Sequence, residues 1–533
     1  MPHRFSLPAA AGFALIVAAA CLPATAAPTA SDFEAAIARL EQPDPQAPQA
    51  LNARLQYADF LADGDTTGDC HARLDTAQAQ LDAVAARPAT QVLLPLGQAK
   101  LDSGAYKIHA ARADCDAARA PDELRKALDA ARSATRLYRD GLDYQSAAIM
   151  QFNVAATLHA LNDTQAAITA LQSTVAMDRE FGFRDDAQDN TKLLLHWQGG
   201  DDSDGHVAEL MKDFPATAPA EFKFAWAPSD ARMDIAATET DLTSGQIVQS
   251  SGTIALQRHV RQDPHGWAVS YDPAAKAKLS LGQWPAHSDI LLQRFTAYLL
   301  TIALLETPNY KVTSTGDFQD VTNPENFRNA LAAEVVDAFG ASAPDEGDRA
   351  SKTLAQNLQT VLLPVYLEDN TAQKHSLETA TWAGAKLEQG TWYEMTAPLL
   401  LPGVGLGQFF LVTHDIAFSY ARPVPCTPED TARTCAEIVV HATPVPGDMT
   451  KAHVQMSSTF HMPDFDALHY WSSINMRLVV RPGTLEPVLS DMRKSWYIAV
   501  AGAPKNSEPV ISSERVVTTT ADQPATTRAA QSD

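Results

Sequence analysis

Pro215-Ala-Thr-Ala-Pro219-Ala-Glu-Phe222-Lys-Phe224-Ala-Trp226 is where the chain changes its hydrophobic period. Upstream, from Ser31 to about Asp213, Ala and Leu recur at helical spacing with few β-branched runs. Downstream of Glu221 the apolar residues alternate. Phe222, Phe224 and Trp226 fall on one face of an expected strand, because successive strand side chains point to opposite sides. The two prolines, separated by small residues, punctuate the change. The fold class this dictates is α+β: an array of helical hairpins, then an antiparallel β meander with helices inserted in its middle.

Four segments follow. Residues 1–27 read as a signal peptide, 28–213 as the helical part, 214–520 as the β-rich part, and 521–533 as a disordered polar tail without a core-forming pattern. The helices are expected over 49–63, 71–87, 89–103, 121–140, 144–161, 164–180 and 186–197. Breaks are expected at Asp63-Gly64-Asp65, Pro88, Gly104, Ala120-Pro121, Gly141, Asn162-Asp163 and Gly199-Gly200. In the β-rich part, strands fit 231–241, 252–260 and 265–272. A helical insertion, 286–365, comprises helices near 286–306, 324–339 and 346–362 around strands at 309–322. Strands then fit 391–397, 407–422, 435–444, 451–461, 473–481, 484–490, 494–501 and 508–518.

The N-terminus carries His3 and Arg4, an apolar run from Leu7 to Leu22, and the small-x-small site Ala24-Thr25-Ala26. Export to the periplasm or beyond is the expectation. Lipidation at Cys21 is the minor alternative, because Ala18 stands where lipoprotein signals usually have Leu, Val or Ile. No later stretch is long and apolar enough to span a bilayer; the nearest, Ile290 to Leu305, contains Gln293 and Arg294. A net charge of −23 over 533 residues excludes nucleic acid as the main partner, since phosphates need a basic face. Residues 27–213 hold 29 acidic and 17 basic side chains, and 214–533 hold 35 and 23, so neither half concentrates positive charge. Four cysteines follow the signal. In an oxidising compartment they point to two disulfides, and three connectivities exist. Cys70–Cys115 with Cys426–Cys435 is preferred because neither bond needs a contact between domains.

Asn153 to Asp178, NVAATLHALNDTQAAITALQSTVAMD, resembles a tetratricopeptide repeat. Asn153 opens the motif. Small Ala155 lets the first helix approach its partner, and Leu158 fills the large apolar site beside it. Asn162-Asp163 makes the turn, and Ala167 and Leu171 form the second helix's packing face. Thr174 and Arg179 depart from the usual alanine and proline. The resemblance implies a groove for an envelope protein or peptide partner. The β-rich part resembles periplasmic lipoprotein carriers, in which a half-barrel sheet cradles a helix and a lipid or other apolar ligand. That likeness is architectural, carried by pieces such as the hairpin turn in Arg481-Pro-Gly-Thr-Leu-Glu-Pro-Val-Leu. On it, Leu291, Phe295, Leu299 and Ile302 of helix 286–306 are candidate cavity residues, with core packing as the plain alternative.

Candidate chemistry is sparse. His461, Asp464, Asp466 and His469 carry metal-ligating groups, but Pro463 prevents a regular helix through them, and a solvated loop is the plainer reading. His414-Asp415 on a strand would point to opposite faces. Gly403-Val-Gly405-Leu-Gly407 lacks phosphate-loop spacing, and the aspartates at 63–69 and 201–204 lack a calcium loop's bidentate glutamate. Trp382, Trp392 and Tyr393 suit core or rim packing. No nucleophile-elbow, zincin or Ser-x-x-Lys motif occurs, and no cofactor is called for. The sequence therefore predicts a non-enzymatic, exported binding or scaffold protein. The alternatives are an envelope hydrolase using the His461 cluster and a purely structural assembly factor.

Overall fold

A computed structural model describes residues 28–41, 48–64, 69–87, 96–214, 219–241, 247–274, 277–280, 282, 305, 307–331, 333, 364–402, 409–427, 434–445, 468–500 and 510–522. The chain forms two compact units that divide after Pro215.

The first unit is helical. Its helices are α1 (Ala30–Glu41), α2 (Pro48–Ala62), α3 (Cys70–Ala85), α4 (Leu96–Cys115), α5 (Ala120–Asp140), α6 (Tyr144–Ala160), α7 (Thr164–Phe181), α8 (Arg184–Gln198) and α9 (Asp204–Leu210). Each packs on its sequence neighbour, and α2 also reaches α4. Local chemistry sets the boundaries. Asp69, Asp143 and Asp163 cap α3, α6 and α7 by accepting from the backbone N–H three residues on. Pro121 and the acidic Asp122 and Glu123 open α5. The turns into α6, α7 and α8 each use one left-handed residue, Leu142, Asn162 and Gly182, spaced by 20 positions. Ala155, Leu158, Ala167 and Leu171 are all buried, while Asn153 is half-buried and meets the Met150 sulfur at 3.5 Å.

One expected break fails. Gly104 lies inside α4, which runs on to Cys115. A Cβ there would stand 3.1 Å from a Leu81 methyl of α3, so this glycine permits close helix crossing rather than ending a helix. Helices α1 and α9 also form where none was expected. Cys70 at the start of α3 is bonded to Cys115 at the end of α4, with Cα atoms 6.4 Å apart.

The second unit is an antiparallel sheet. Its strands are β1 (Ala220–Glu221), β2 (Ser229–Asp241), β3 (Val248–Asp263), β4 (Gly266–Pro273), β5 (Lys278–Ser280), β6 (Tyr310–Thr313), β7 (Phe318–Val321), β8 (Lys386–Leu387), β9 (Trp392–Pro402), β10 (Phe409–Pro425), β11 (Thr434–Pro444), β12 (Leu468–Val480), β13 (Pro487–Val500) and β14 (Val510–Asp522). A small pair, β1–β8, stands apart. The main sheet runs β7-β6-β4-β3-β2-β14-β13-β12-β11-β10-β9, with β5 on β3, and is open, its ends being β7 and β9. The last strand lies beside β2, from Ser512↔Asp241 to Asp522↔Ala231. That pairing takes Ala521 and Asp522 into the sheet, although the sequence places them in the tail. Cys426 and Cys435 are bonded across the β10–β11 turn, with Cα atoms 4.9 Å apart.

Two strand expectations change. Residues 484–490 and 494–501 belong to one turn and one strand, β13, because the strand's polar centre pairs on both sides with β12 and β14. Phe222 to Trp226 is extended but lies outside any strand. Its backbone instead bonds to Ala385, Pro482 and Thr484, and its aromatics still fill the core. Phe222 joins Ile416, Ile438, Met476, Leu478 and Trp382 on one sheet face. Trp226 joins Val260, Val269, Tyr310 and Val312 further along. A helix that the sequence does not announce, α10 (Pro364–Glu378), contacts β7, β9 and the 3-10 turn Ala380–Trp382. Its composition is polar, so no strong apolar stripe marks it.

Two outcomes follow from the helical unit. The Cys70→Ser, Cys115→Ser double variant is expected to lose about 2–4 kcal/mol in denaturant melts followed by helical circular dichroism. Gly104→Val is expected to cost about 1–3 kcal/mol by overpacking against Leu81, with Gly205→Val, where a Cβ meets nothing within 4 Å, as the mild control.

Candidate functional site

Side chains from β2, β3, β4, β6, β13, β14 and α10 converge on one region of the sheet. Along β3 and β4, Arg258 pairs in register with Tyr271, and Val269 with Tyr310 of β6, so these residues share a face. Arg258 is 5% exposed and stands 5.0 Å over the Trp226 ring. Tyr271 and Tyr310 lie side by side, ring centroids 6.4 Å apart. Burial pushes the pKa of both hydroxyls up, so both remain protonated. From above, α10 contributes Thr371, Lys374, His375 and Glu378.

His375 is fixed by an unusual turn. Its Nε2–H donates to the Gly316 carbonyl at 2.7 Å. Gly316 sits at φ +97, and a Cβ there would stand 2.6 Å from the Phe224 ring, so only glycine fits. With Nε2 protonated, Nδ1 is left as an acceptor. Burial, with a smaller contribution from Arg258, lowers the imidazole's pKa and keeps it neutral.

Two adjoining cavities of about 30 and about 60 Å³ lie between α10 and the sheet. They share Thr307, Thr371, Lys374, Glu378, Ser490 and Thr518 as walls. The first reaches Arg258, Trp226, Tyr271, Tyr310 and His375. The second reaches Leu377, Met492 and Val516 and ends at Lys494. Trp226 Nε1, His375 Nδ1 and Thr518 Oγ1 are buried without a hydrogen-bond partner, and all three residues line the first cavity. Buried polar atoms are normally satisfied, so three orphans on one cavity mark a place that something polar fills.

Beyond Lys494 the same face carries a polar row. Lys494 pairs with Glu514 at 3.6 Å. Glu514 stands opposite Glu239 across the β14–β2 pairing. Like charges directly opposite repel. Burial first, then the Glu514 and Asp241 carboxylates, push Glu239 up to about 8. His414, fully buried, donates from Nδ1 to the Val412 carbonyl at 2.8 Å and accepts at Nε2 from the Ser472 hydroxyl at 3.2 Å. Burial holds it at about 4. Neither His414 nor Ser472 lines either cavity, so this is a satisfied core pair rather than an open nucleophile and base. Asp415 is exposed on the opposite face, as strand alternation requires.

The other sequence candidates divide. His461, Asp464 and Asp466 lie outside the described residues. His469 is on β12 opposite Ala499, with only its backbone described. Leu291, Phe295, Leu299 and Ile302 also lie outside the described residues, as do residues 403–407 and 451–461. Among the described residues no group of three or more His, Cys, Asp or Glu could hold a metal. Trp382 is core, donating its indole N–H to the Leu377 carbonyl at 2.7 Å, and Tyr393 stacks on Phe418. Asp201 and Ser203 make capping bonds at the start of α9, while Asp202 and Asp204 pair with His196 and Lys192.

The sequence reading missed Arg258, Tyr271, Tyr310 and His375. The one available signal was a lone arginine at a core-facing position of an alternating strand.

Glu239 sets a pH dependence. Its folded pKa lies above its unfolded value, so the native state holds a proton that the unfolded chain releases above about 4.5. Stability therefore falls as pH rises through the window up to about 8. Glu239→Gln is expected to match the parent near pH 4.5 and to gain on it steadily as pH rises toward 8. Thermal melts at four pH values would check this, and a constant gap would refute it. Compared with known proteins, the chain matches no protein-family model and no curated protein.

Proposed function

We propose that this is an exported, non-enzymatic binding protein. Its helical hairpins present a groove to an envelope protein or peptide, and its β-rich unit holds a lipid or other apolar ligand under α10. The observation that carries the reading is the pair of adjoining cavities between α10 and the sheet, apolar toward Leu377, Met492 and Val516 and polar toward Arg258. Ligand sites combine such an apolar wall with a few orienting polar groups. The present volume admits a few water-sized groups, so a larger ligand requires α10 to lift from the sheet.

Export is supported by the apolar run from Leu7 to Leu22 and by two disulfides, which persist in oxidising compartments. Among the described residues no helix is long and apolar enough to cross a membrane. The hairpin array is supported by the packing of each helix on its neighbour and of α2 on α4, where Lys107 bridges Asp59 at 3.3 Å and Asp63 at 3.2 Å. The tetratricopeptide likeness supports it as well. The hydrolase reading rests on His461, Asp464, Asp466 and His469, and no observation here favours it.

Purification from the native envelope without detergent, followed by denaturing extraction and mass spectrometry, is expected to release one apolar molecule per chain. Repeated recovery of clean apoprotein would sink the ligand half of the proposal and leave the groove, probed by crosslinking in the envelope, to stand alone.

A further inference from the structure

We infer that the first cavity beneath α10 is a carboxylate-binding site, taking the monoanionic head of an organic acid on Arg258, the Trp226 indole N–H and the Tyr271 hydroxyl. This deepens the reading above and rests on it for the presence of a ligand under α10.

Three observations carry it. The first is Arg258, a buried guanidinium whose neighbours are the Trp226 ring and the Tyr271 hydroxyl; among the described residues it is in no ion pair. Glu378 lines the same cavity without making an ion pair with Arg258; a buried cation that makes no ion pair is costly, and a carboxylate is the planar partner that a guanidinium's fork matches. The second is the orphaned Trp226 Nε1–H, which donates and cannot accept. Together with Arg258 and the Tyr271 hydroxyl, which accepts from Tyr310 and Arg258 and keeps its own proton to donate, it makes a cradle of donors, which calls for anionic oxygens rather than for a cation.

The third is the charge balance, which fixes one negative charge. Arg258 and Lys374 supply two positive charges, and Glu378 removes one. His375 is neutral, and its Nδ1 lone pair opposes further negative charge. The phosphate dianion, which dominates above neutral pH, fits this set poorly. The second cavity continues past Thr518 to Val516, Met492 and Leu377, which gives the acid's hydrocarbon a direction to run.

The test is titration calorimetry on the full mature chain with sodium decanoate, sodium acetate, inorganic phosphate and 1-decanol. Decanoate is expected to bind once per chain. Arg258→Gln is expected to weaken it by about tenfold or more, and Trp226→Phe by about threefold to tenfold. Decanoate tighter than acetate identifies a fatty-acid-like source, and equal affinities identify a free small acid; either outcome supports the carboxylate site. Binding of decanol without either carboxylate would overturn this inference and leave the ligand reading intact. Binding of none of the four would overturn both. Phosphate binding as tight as acetate at pH 8.5, where phosphate is mostly the dianion, would overturn the monoanion assignment. Unchanged decanoate affinity in a folded Arg258→Gln would overturn the site. If that variant does not fold, unchanged affinity in Trp226→Phe decides against it.

Discussion

The pairing of β14 with β2 is the constraint on which the second unit depends. It joins residues about 280 positions apart in sequence, Ser512 with Asp241 through Asp522 with Ala231. Without it the unit would be two separate meanders, β2 to β7 and β9 to β14, each with an additional exposed edge. With it they form one sheet, and the seam lies near the sheet's middle rather than at its rim. Closing so long a loop costs entropy that grows slowly with length. Eleven paired positions and apolar contacts such as Ile235, Ala237 and Val516 offset that cost.

The seam also explains why polar chemistry gathers there. It sets Glu239 opposite Glu514 and brings Thr518 and Thr520 beside Met233, Arg258 and Tyr271 as the floor of the cavity under α10. Further along, the sheet is closed off by large apolar side chains, from Tyr420 and Ile438 to Leu478 and Trp382. The same face thus passes from a dense apolar core to a region with a buried arginine, a neutral histidine and unpartnered polar atoms. Buried polar groups left unsatisfied cost stability; others lie elsewhere, Asp178 Oδ1 and Thr191 Oγ1 in the helical unit among them, so it is the buried Arg258 beside three such atoms that sets this cavity apart.

The helical unit obeys a different logic. Its order is local: each helix packs on the next, and successive turns repeat the same left-handed residue. Where that residue is Asn162 or Gly182 the turn is legible from sequence. Leu142, in the turn between the packed helices α5 and α6, adopts the same conformation without a side chain suited to it. Gly104 shows the converse. As a residue type it signals a break, yet its neighbour Leu81 makes it a contact point inside a continuous helix.

By itself the sequence determined the α+β division at Pro215, most helix and strand positions and the aromatic face of Phe222 to Trp226, and it favoured, among three pairings of the four cysteines, the one that the structure shows. These follow from periodicity, turn residues and proximity along the chain, all of which are local. The strand order, the merger of two predicted segments into β13, the β14–β2 seam and the placing of α10 came only from tertiary structure. They depend on partners far apart in sequence, and α10 has no strong apolar stripe to announce it. The candidate site belongs wholly to this second class. Arg258, Tyr271, Tyr310 and His375 come from four elements and share no motif, so only the folded sheet brings their chemistry to one cavity.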